Sequence, residues 1–263
     1  MNSSARFRYS AEVVGSAAQA ALAAGEGEVC AVFRRSFYLK YGERRFACIG
    51  DAALGRGPLN ALVTQFTPPQ VGEFLAISMD RAALWQPPPM RGAARPQLDP
   101  LRACLDGHVA PDGLGCLIVG VHNALSIHAQ PALDAIDRWL AGNTLGAEAA
   151  ELIGLGPGVT PSGDDYLGGV LVGLRWLGRG AQADSLWRWL VPRLAGRTGA
   201  ISAAHVAAAA CGEGHEALHG VLENLAAWQP PDLHPALSKL DAVGHSSGWD
   251  ALAGVVAVAK TIQ

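Results

Sequence analysis

The chain has 263 residues, half of them hydrophobic and 16% charged, with a formal net charge of -3. That balance supplies a large buried core or an oligomer interface, so a homo-oligomer is expected, and it gives no basic footprint for nucleic acid. The five cysteines are widely spaced with no C-x-x-C pair, which excludes a disulfide scaffold or cysteine zinc site and fits a reduced, cytoplasmic protein.

The opening MNSSARFRYS lacks an apolar signal core. Ser10 to Ala24 is rich in alanine and predicts a short helix ending at Gly25. Val29–Phe33, Ser36–Tyr41 and Arg45–Ile49 carry β-branched, aromatic and apolar residues with polar breaks, so they predict strands, the last two joined by a turn at Gly42-Glu43. Ala61–Phe66 and Glu73–Met79 predict two more strands, after a glycine- and proline-bearing loop from Gly55 to Asn60. The Trp85-Gln86-Pro87-Pro88-Pro89 stretch suits neither helix nor central strand. A short helix at Leu98–Leu105 and a buried strand at Leu114–Val121 follow.

From Pro131 onward helical signals dominate. The predicted helices are Ala132–Ala141, Ala147–Ile153, Asp164–Leu177, Gln182–Leu194, Ala200–Cys211, His215–Trp228, Pro235–Leu240 and Gly248–Thr261. The most apolar of them, Tyr166 to Leu177, is too short to span a membrane and contains Arg175, so no membrane partner is expected. Strands followed by helices, without a β-α rhythm, give an α+β fold. The expected domains are a β-rich 1–130 and a helical 131–263, with the boundary near Ala129–Pro131.

Leu152 to Gly173 makes the most specific demands. Gly154, Gly156 and Gly158 precede Thr160, Pro161, Ser162 and Gly163, then Asp164, Asp165 and an apolar run. Thr160 before Pro161 reads as an N-cap, and Ser162 with Asp165 has capping-box spacing. A glycine-rich loop entering a helix start favours an anion. The spacing is not that of a P-loop or a dinucleotide fingerprint.

The motif returns 85 residues later. Ser162-Gly163-x-Asp165-x-Leu167-x-Gly169-Val170 aligns with Ser247-Gly248-x-Asp250-x-Leu252-x-Gly254-Val255. Either two helix starts converged on similar chemistry, or they lie side by side and aim both N-termini at one anionic ligand. For Asp164 and Asp165 three readings stay open. Asp165 caps while Asp164 binds Mg²⁺ bridging to phosphate; one of them accepts from a ureido N–H; or both only complement the helix dipole.

His245, beside Ser246, Ser247 and Asp250, is a candidate acid–base group or a structural histidine. Arg197, ahead of Ser202, could clamp an anion or lie on the surface. Ser162, His245 and Asp250 could formally make a triad, but no G-x-S-x-G elbow is present. His215-Glu216-Ala217-Leu218-His219 matches H-E-x-x-H, yet a solvated helix face explains it as well.

GLGPGVTPSGDD at Gly154–Asp165, the T-x-x-x-S of Thr198–Ser202 and GHSSGWDALAG at Gly244–Gly254 resemble the signatures of a bacterial family. That family includes the AllH-type subunit of the oxamate carbamoyltransferase of allantoin breakdown, and some of its members are labelled as carboxylases. The resemblance covers the helical half; in the first half it extends to a GPLN turn at Gly57–Asn60. It implies carbamoyl transfer between oxalurate or oxamate and phosphate, in company with other subunits. A metabolite-binding subunit or sensor is the alternative. On this reading Gly156, Gly158, Thr160, Ser162 and Gly163 bind the anion. Asp164 binds substrate or metal, and Asp165 and Asp250 mainly cap. Arg197, Ser202, His245, Ser246 and Ser247 complete the pocket.

Overall fold

The computed structural model describes residues 8–89, 96, 98–105, 109–110, 112–227 and 232–262. It is α+β, with strands in the first part of the chain and helices in the rest. Two compact units, Met1–Pro87 and Pro88–Gln263, divide it.

The first unit is an eight-stranded mixed sheet. Its strands are β1 (Tyr9–Gly15), β2 (Gly27–Val32), β3 (Ser36–Tyr41), β4 (Arg45–Gly50), β5 (Asn60–Val63), β6 (Phe74–Leu75), β7 (Ile77–Ser78) and β8 (Ala83–Trp85). The order is β6-β2-β3-β4-β5-β1-β7, with β8 also on β1. β2, β3 and β4 form an antiparallel meander, and β4 runs parallel to β5. Alternation does its expected work in β3, where Phe37, Leu39 and Tyr41 point inward.

Three expectations change here. Residues 10–15, expected as helix, form β1, because buried Tyr9 and Ala11 alternate with exposed Ser10 and Glu12 and the strand pairs with β5. Pairing overrides alanine content, and only Ser16–Leu22 is helical (α1). The expected strand Glu73–Met79 is broken into β6 and β7, and Ala61–Phe66 shortens to β5.

The second unit holds α2 (Leu98–Cys104), α3 (Ala124–Leu140), α4 (Ser162–Trp176), α5 (Gly180–Leu194), α6 (Ala200–Ala210), α7 (Glu216–Leu225), α8 (His234–Asp241) and α9 (Ser247–Lys260). Trp228, where α7 was expected to end, lies outside the described residues. No described helix is long and apolar enough to cross a membrane.

Residues 129–131, where a domain boundary was expected, lie inside α3. That helix starts at an Asn123–Ser126 capping box and continues through Pro131. The ring removes the bond to the carbonyl of Ile127, a residue 63% exposed, where water can take its place. The expected strand at Leu114–Val121 is instead a 3₁₀ turn over Gly115–Val119 closed by left-handed Gly120. A Cβ on Gly115 would come within 2.6 Å of Trp249 Cβ, so the chain is held too close to α9 for a ladder.

Helices α4 and α9 are the centre of this unit. α4 buries 12 of its 15 residues and α9 buries 11 of 14, so neither has a wide polar face. They run parallel, since Gly169 meets Ala251 and, one turn on, Gly173 meets Val255 and Val258. A Cβ on Gly169 would lie 1.9 Å from the Ala251 carbonyl oxygen, and one on Gly254 would lie 2.1 Å from that of Tyr166. Gly254 and Ala251 are 85 residues beyond Gly169 and Tyr166, so exchanging the two helices reproduces the contact. The repeated motif is therefore a local two-fold arrangement.

Candidate functional site

The parallel pairing brings both helix starts together. Thr160 Oγ1 and Ser247 Oγ are hydrogen-bonded at 3.1 Å. The first-turn glycines are tied back alike: Gly163 N–H donates to Leu155 O at 2.9 Å and Gly248 N–H to Val243 O at 3.2 Å. The capping boxes read from the sequence do not form. The cap positions are Pro161 and Ser246, and neither side chain caps. Each serine instead serves the other helix, with Ser162 bonding to Asp250 and Ser247 to Asp165. A short-range pattern is thus satisfied by a distant partner on the opposing helix, Asp250 for Ser162 and Asp165 for Ser247.

Asp250, fully buried, accepts from Leu114 N–H at 2.5 Å, Gly115 N–H at 3.2 Å and Ser246 Oγ at 2.9 Å. Burial raises its carboxyl above the usual range, while these donors oppose the rise. Gly113 completes the turn with φ +82, and a Cβ there would strike Asp250 Oδ1 at 2.4 Å. Removing the carboxylate by Asp250→Ala strands two buried N–H groups and the hydroxyls of Ser246 and Ser162. The expected loss is about 2–4 kcal/mol in urea unfolding at unchanged m-value, and a loss below about 1 kcal/mol would refute this bracket. Sequence reading missed the 112–115 turn as part of the site, although its Asp-Gly dipeptide was a turn signal.

Asp164 is 1% exposed and has both oxygens engaged. Oδ1 accepts from Gly154 N–H at 2.9 Å; Oδ2 accepts from Ser202 Oγ at 2.6 Å and from Thr198 Oγ1. It clamps the loop to the start of α6: Thr198, just before the N-cap Gly199, and Ser202, in the first turn, both reach the same carboxylate oxygen. This saturated set does not fit Mg²⁺, and among the described residues no group of three or more His, Cys, Asp or Glu could hold a metal. Both oxygens of this acid, expected to bind metal or substrate, are taken up in bracing the loop against the start of α6.

Asp165 is the opposite case. Its Oδ2 is buried and has no hydrogen-bond partner among the described residues. Burial pushes this carboxyl well above the ordinary range; the Ser247 and Thr160 hydroxyls oppose the rise, and Asp250 and Asp164 add to it. The residue expected to cap keeps the unsatisfied oxygen.

The loop supplies donors. Gly154, Gly156 and Gly158 have φ of +76, +105 and +101, and the residues between them have negative φ. These left-handed glycines keep the loop out of regular structure, so its peptide N–H groups are not taken up in a helix or ladder; Pro157 has none. Gly154 and Leu155 donate internally, but the N–H groups of Gly156, Gly158, Val159 and Thr160 have no partner among the described residues. Residues Pro157, Gly158 and Val159 are exposed.

Other candidates stand elsewhere. His245, with its side chain 81% exposed, pairs with Asp112 at 2.9 Å, so no triad with Ser162 and Asp250 is present. Ser246 is engaged by Asp250, and Ser202 by Asp164. Arg197 is exposed, donating to Ala150 O at 3.1 Å and lying 3.5 Å from Glu151. His215 is the N-cap of α7, accepting from Ala217 N–H, while buried His219 accepts from Gly214 N–H at 3.0 Å. Neither a zinc pair nor a solvated face describes them. A cavity of about 440 Å³ beside Trp249, Asp241 and His234 includes none of the loop in its wall.

Residues 152–259 match the model of a family described as oxamate carbamoyltransferase subunit AllH. The span begins just before the glycine loop and ends near the end of α9, so it contains both helix starts. No curated protein and no solved structure matched the chain.

Proposed function

We propose, from the match of residues 152–259 to the AllH family model, that the chain is a subunit acting in carbamoyl transfer between oxalurate or oxamate and phosphate. The observation that carries the site is the meeting of two helix starts at Thr160 and Ser247, beside a loop whose N–H groups at Gly156, Gly158, Val159 and Thr160 lack partners among the described residues. These donors suit anionic oxygens of a small ureido acid or phosphate, and two helix dipoles favour the same charge. Asp165 faces the uncharged amide part of the substrate.

The site's own cation supply is thin. Arg197 is turned to Ala150 O and Glu151, and the nearest carboxyls are acidic neighbours of the loop. Binding a doubly charged phosphate beside them calls for positive charge from another chain, which agrees with a subunit role. The expected result is carbamoyl phosphate from oxalurate and phosphate when this chain is combined with its partner subunits, and none when it is omitted. Thr160→Val, which removes one hydroxyl at the meeting point, should raise the KM for phosphate roughly tenfold, equivalent to about 1.4 kcal/mol. Binding of oxalurate without turnover in every mixture would assign the chain to the metabolite-binding class instead.

A further inference from the structure

The two-fold arrangement of α4 and α9 makes Asp165 and Asp250 equivalent by position but not by surroundings. Asp250 accepts from two backbone N–H groups and from the hydroxyls of Ser246 and Ser162. Asp165 receives hydroxyls from Ser247 and Thr160, and its Oδ2 is left buried and unpartnered. The charged groups facing it are Asp164 on its own helix and Asp250 on α9, both acidic. Burying an ionised carboxylate between two others, without a cation, costs far more than leaving it neutral. A carboxylic acid here presents an O–H that none of the described residues accepts.

We propose that Asp165 is the acid of the transfer site, holding a proton on Oδ2 for the nitrogen that leaves the carbamoyl carbon. This rests on the carbamoyl-transfer reading above. An oxygen of hydrogen phosphate attacks the carbamoyl carbon of oxalurate, and the bond from that carbon to the oxamate nitrogen breaks. The electron pair stays on nitrogen, which takes the Asp165 proton and leaves as the amide of oxamate. The proton that hydrogen phosphate brought then passes to the Asp165 carboxylate, and carbamoyl phosphate departs. Asp164 cannot take this part, since both its oxygens already accept hydrogen bonds. The Asp165 carboxyl receives the Ser247 and Thr160 hydroxyls, and Thr160 ends the three-glycine loop, whose tip at residues 157–159 is exposed.

The test uses the full chain with its partner subunits. Asp165→Asn should lower carbamoyl phosphate formation by about 10²–10⁴-fold while calorimetric oxalurate affinity stays within about threefold. Asp165→Ser serves as the second variant if the amide disturbs packing, and thermal unfolding confirms that each variant is folded. In parallel, the infrared difference between wild type and Asp165→Asn at pH 7 should show the carbonyl stretch of a protonated carboxyl. Absence of that band overturns the proposal, as does transfer that survives at the wild-type rate in Asp165→Asn. Those results leave the carbamoyl-transfer reading standing. A protonated Asp165 with no transfer in any mixture overturns the acid role together with the reading on which it rests.

Discussion

Gly169→Ala is expected to cost about 3–5 kcal/mol, a drop in Tm of roughly 6–20 °C for a chain of this size. The added Cβ would sit 1.9 Å from the Ala251 carbonyl oxygen, with the carbonyl carbon at 2.7 Å and Cα at 2.9 Å. All three are backbone atoms, so no side chain can rotate away, and the two most buried helices of the unit have to separate. Alanine's better helix propensity returns only about 1 kcal/mol. Gly168→Ala is the internal control. Its Cβ would meet only the Ala209 methyl at 3.6 Å, so this variant should be neutral or slightly stabilising. Gly254→Ala should resemble Gly169→Ala, since its Cβ would lie 2.1 Å from Tyr166 O. The double variant should lose less than the sum of the two, because one separation of the helices relieves both clashes. Chemical unfolding at constant m-value measures all four. A Gly169→Ala protein within about 1 kcal/mol of wild type would show that the helices are not packed backbone to backbone.

The same repeat marks the limit of what the sequence made legible. Its spacing located both helix starts and suggested their pairing, because S-G-x-D-x-L-x-G-V is a local pattern that survives in three dimensions. The work of its acids was not legible. Asp165 and Asp250 looked like caps of their own helices, yet Ser162 serves Asp250 and Ser247 serves Asp165. Asp164 looked like the free carboxylate, and its partners Thr198 and Ser202 lie more than 30 residues on. Spacing along one helix says nothing about donors that arrive from another. His245 was drawn to the site by its neighbours in sequence, but the chain turns its ring outward to Asp112.

The fold shows the same division. β3 and β4 follow from alternation and hydrophobic runs, and α5 and α6 from helical patterning. Residues 10–15 and 114–121 were misread where tertiary contacts decide the backbone. β1 is made a strand by its neighbours β5, β7 and β8, and the 115–119 turn by the carboxylate of Asp250 holding Leu114 and Gly115. The boundary expected near residues 129–131 falls inside α3, which continues past Pro131 because the face that loses a hydrogen bond is the exposed one. Composition and period are sufficient where an element's own residues decide its state, and insufficient where a distant polar group does.

Acid should weaken the second unit through two histidines. Burial pushes His205 and His219 down to about 4, and the nearby His215 adds to both shifts. For His219 the geometry agrees, because its Nε2 accepts from Gly214 N–H at 3.0 Å, which only the neutral ring can do. A histidine depressed in the folded state contributes its full stability above its unfolded value near 6.5 and loses it as pH falls toward about 4. Each group therefore removes about 2–3 kcal/mol between pH 7.5 and 4.5. The raised carboxyls of Asp165 and Asp250 act with opposite sign. Their contribution is complete at low pH and is lost as pH rises through their folded values, so acidification restores it. The net curve mixes the two, and variants separate them. His219→Gln offers an amide oxygen to Gly214 N–H without taking a proton, so the fall in unfolding free energy from pH 7.5 to 4.5 should shrink by about 2–3 kcal/mol relative to wild type. Asp165→Asn should leave that fall in place and remove part of the loss seen above neutral pH. If His219→Gln unfolds with the same pH dependence as wild type, the buried ring is not what acid attacks.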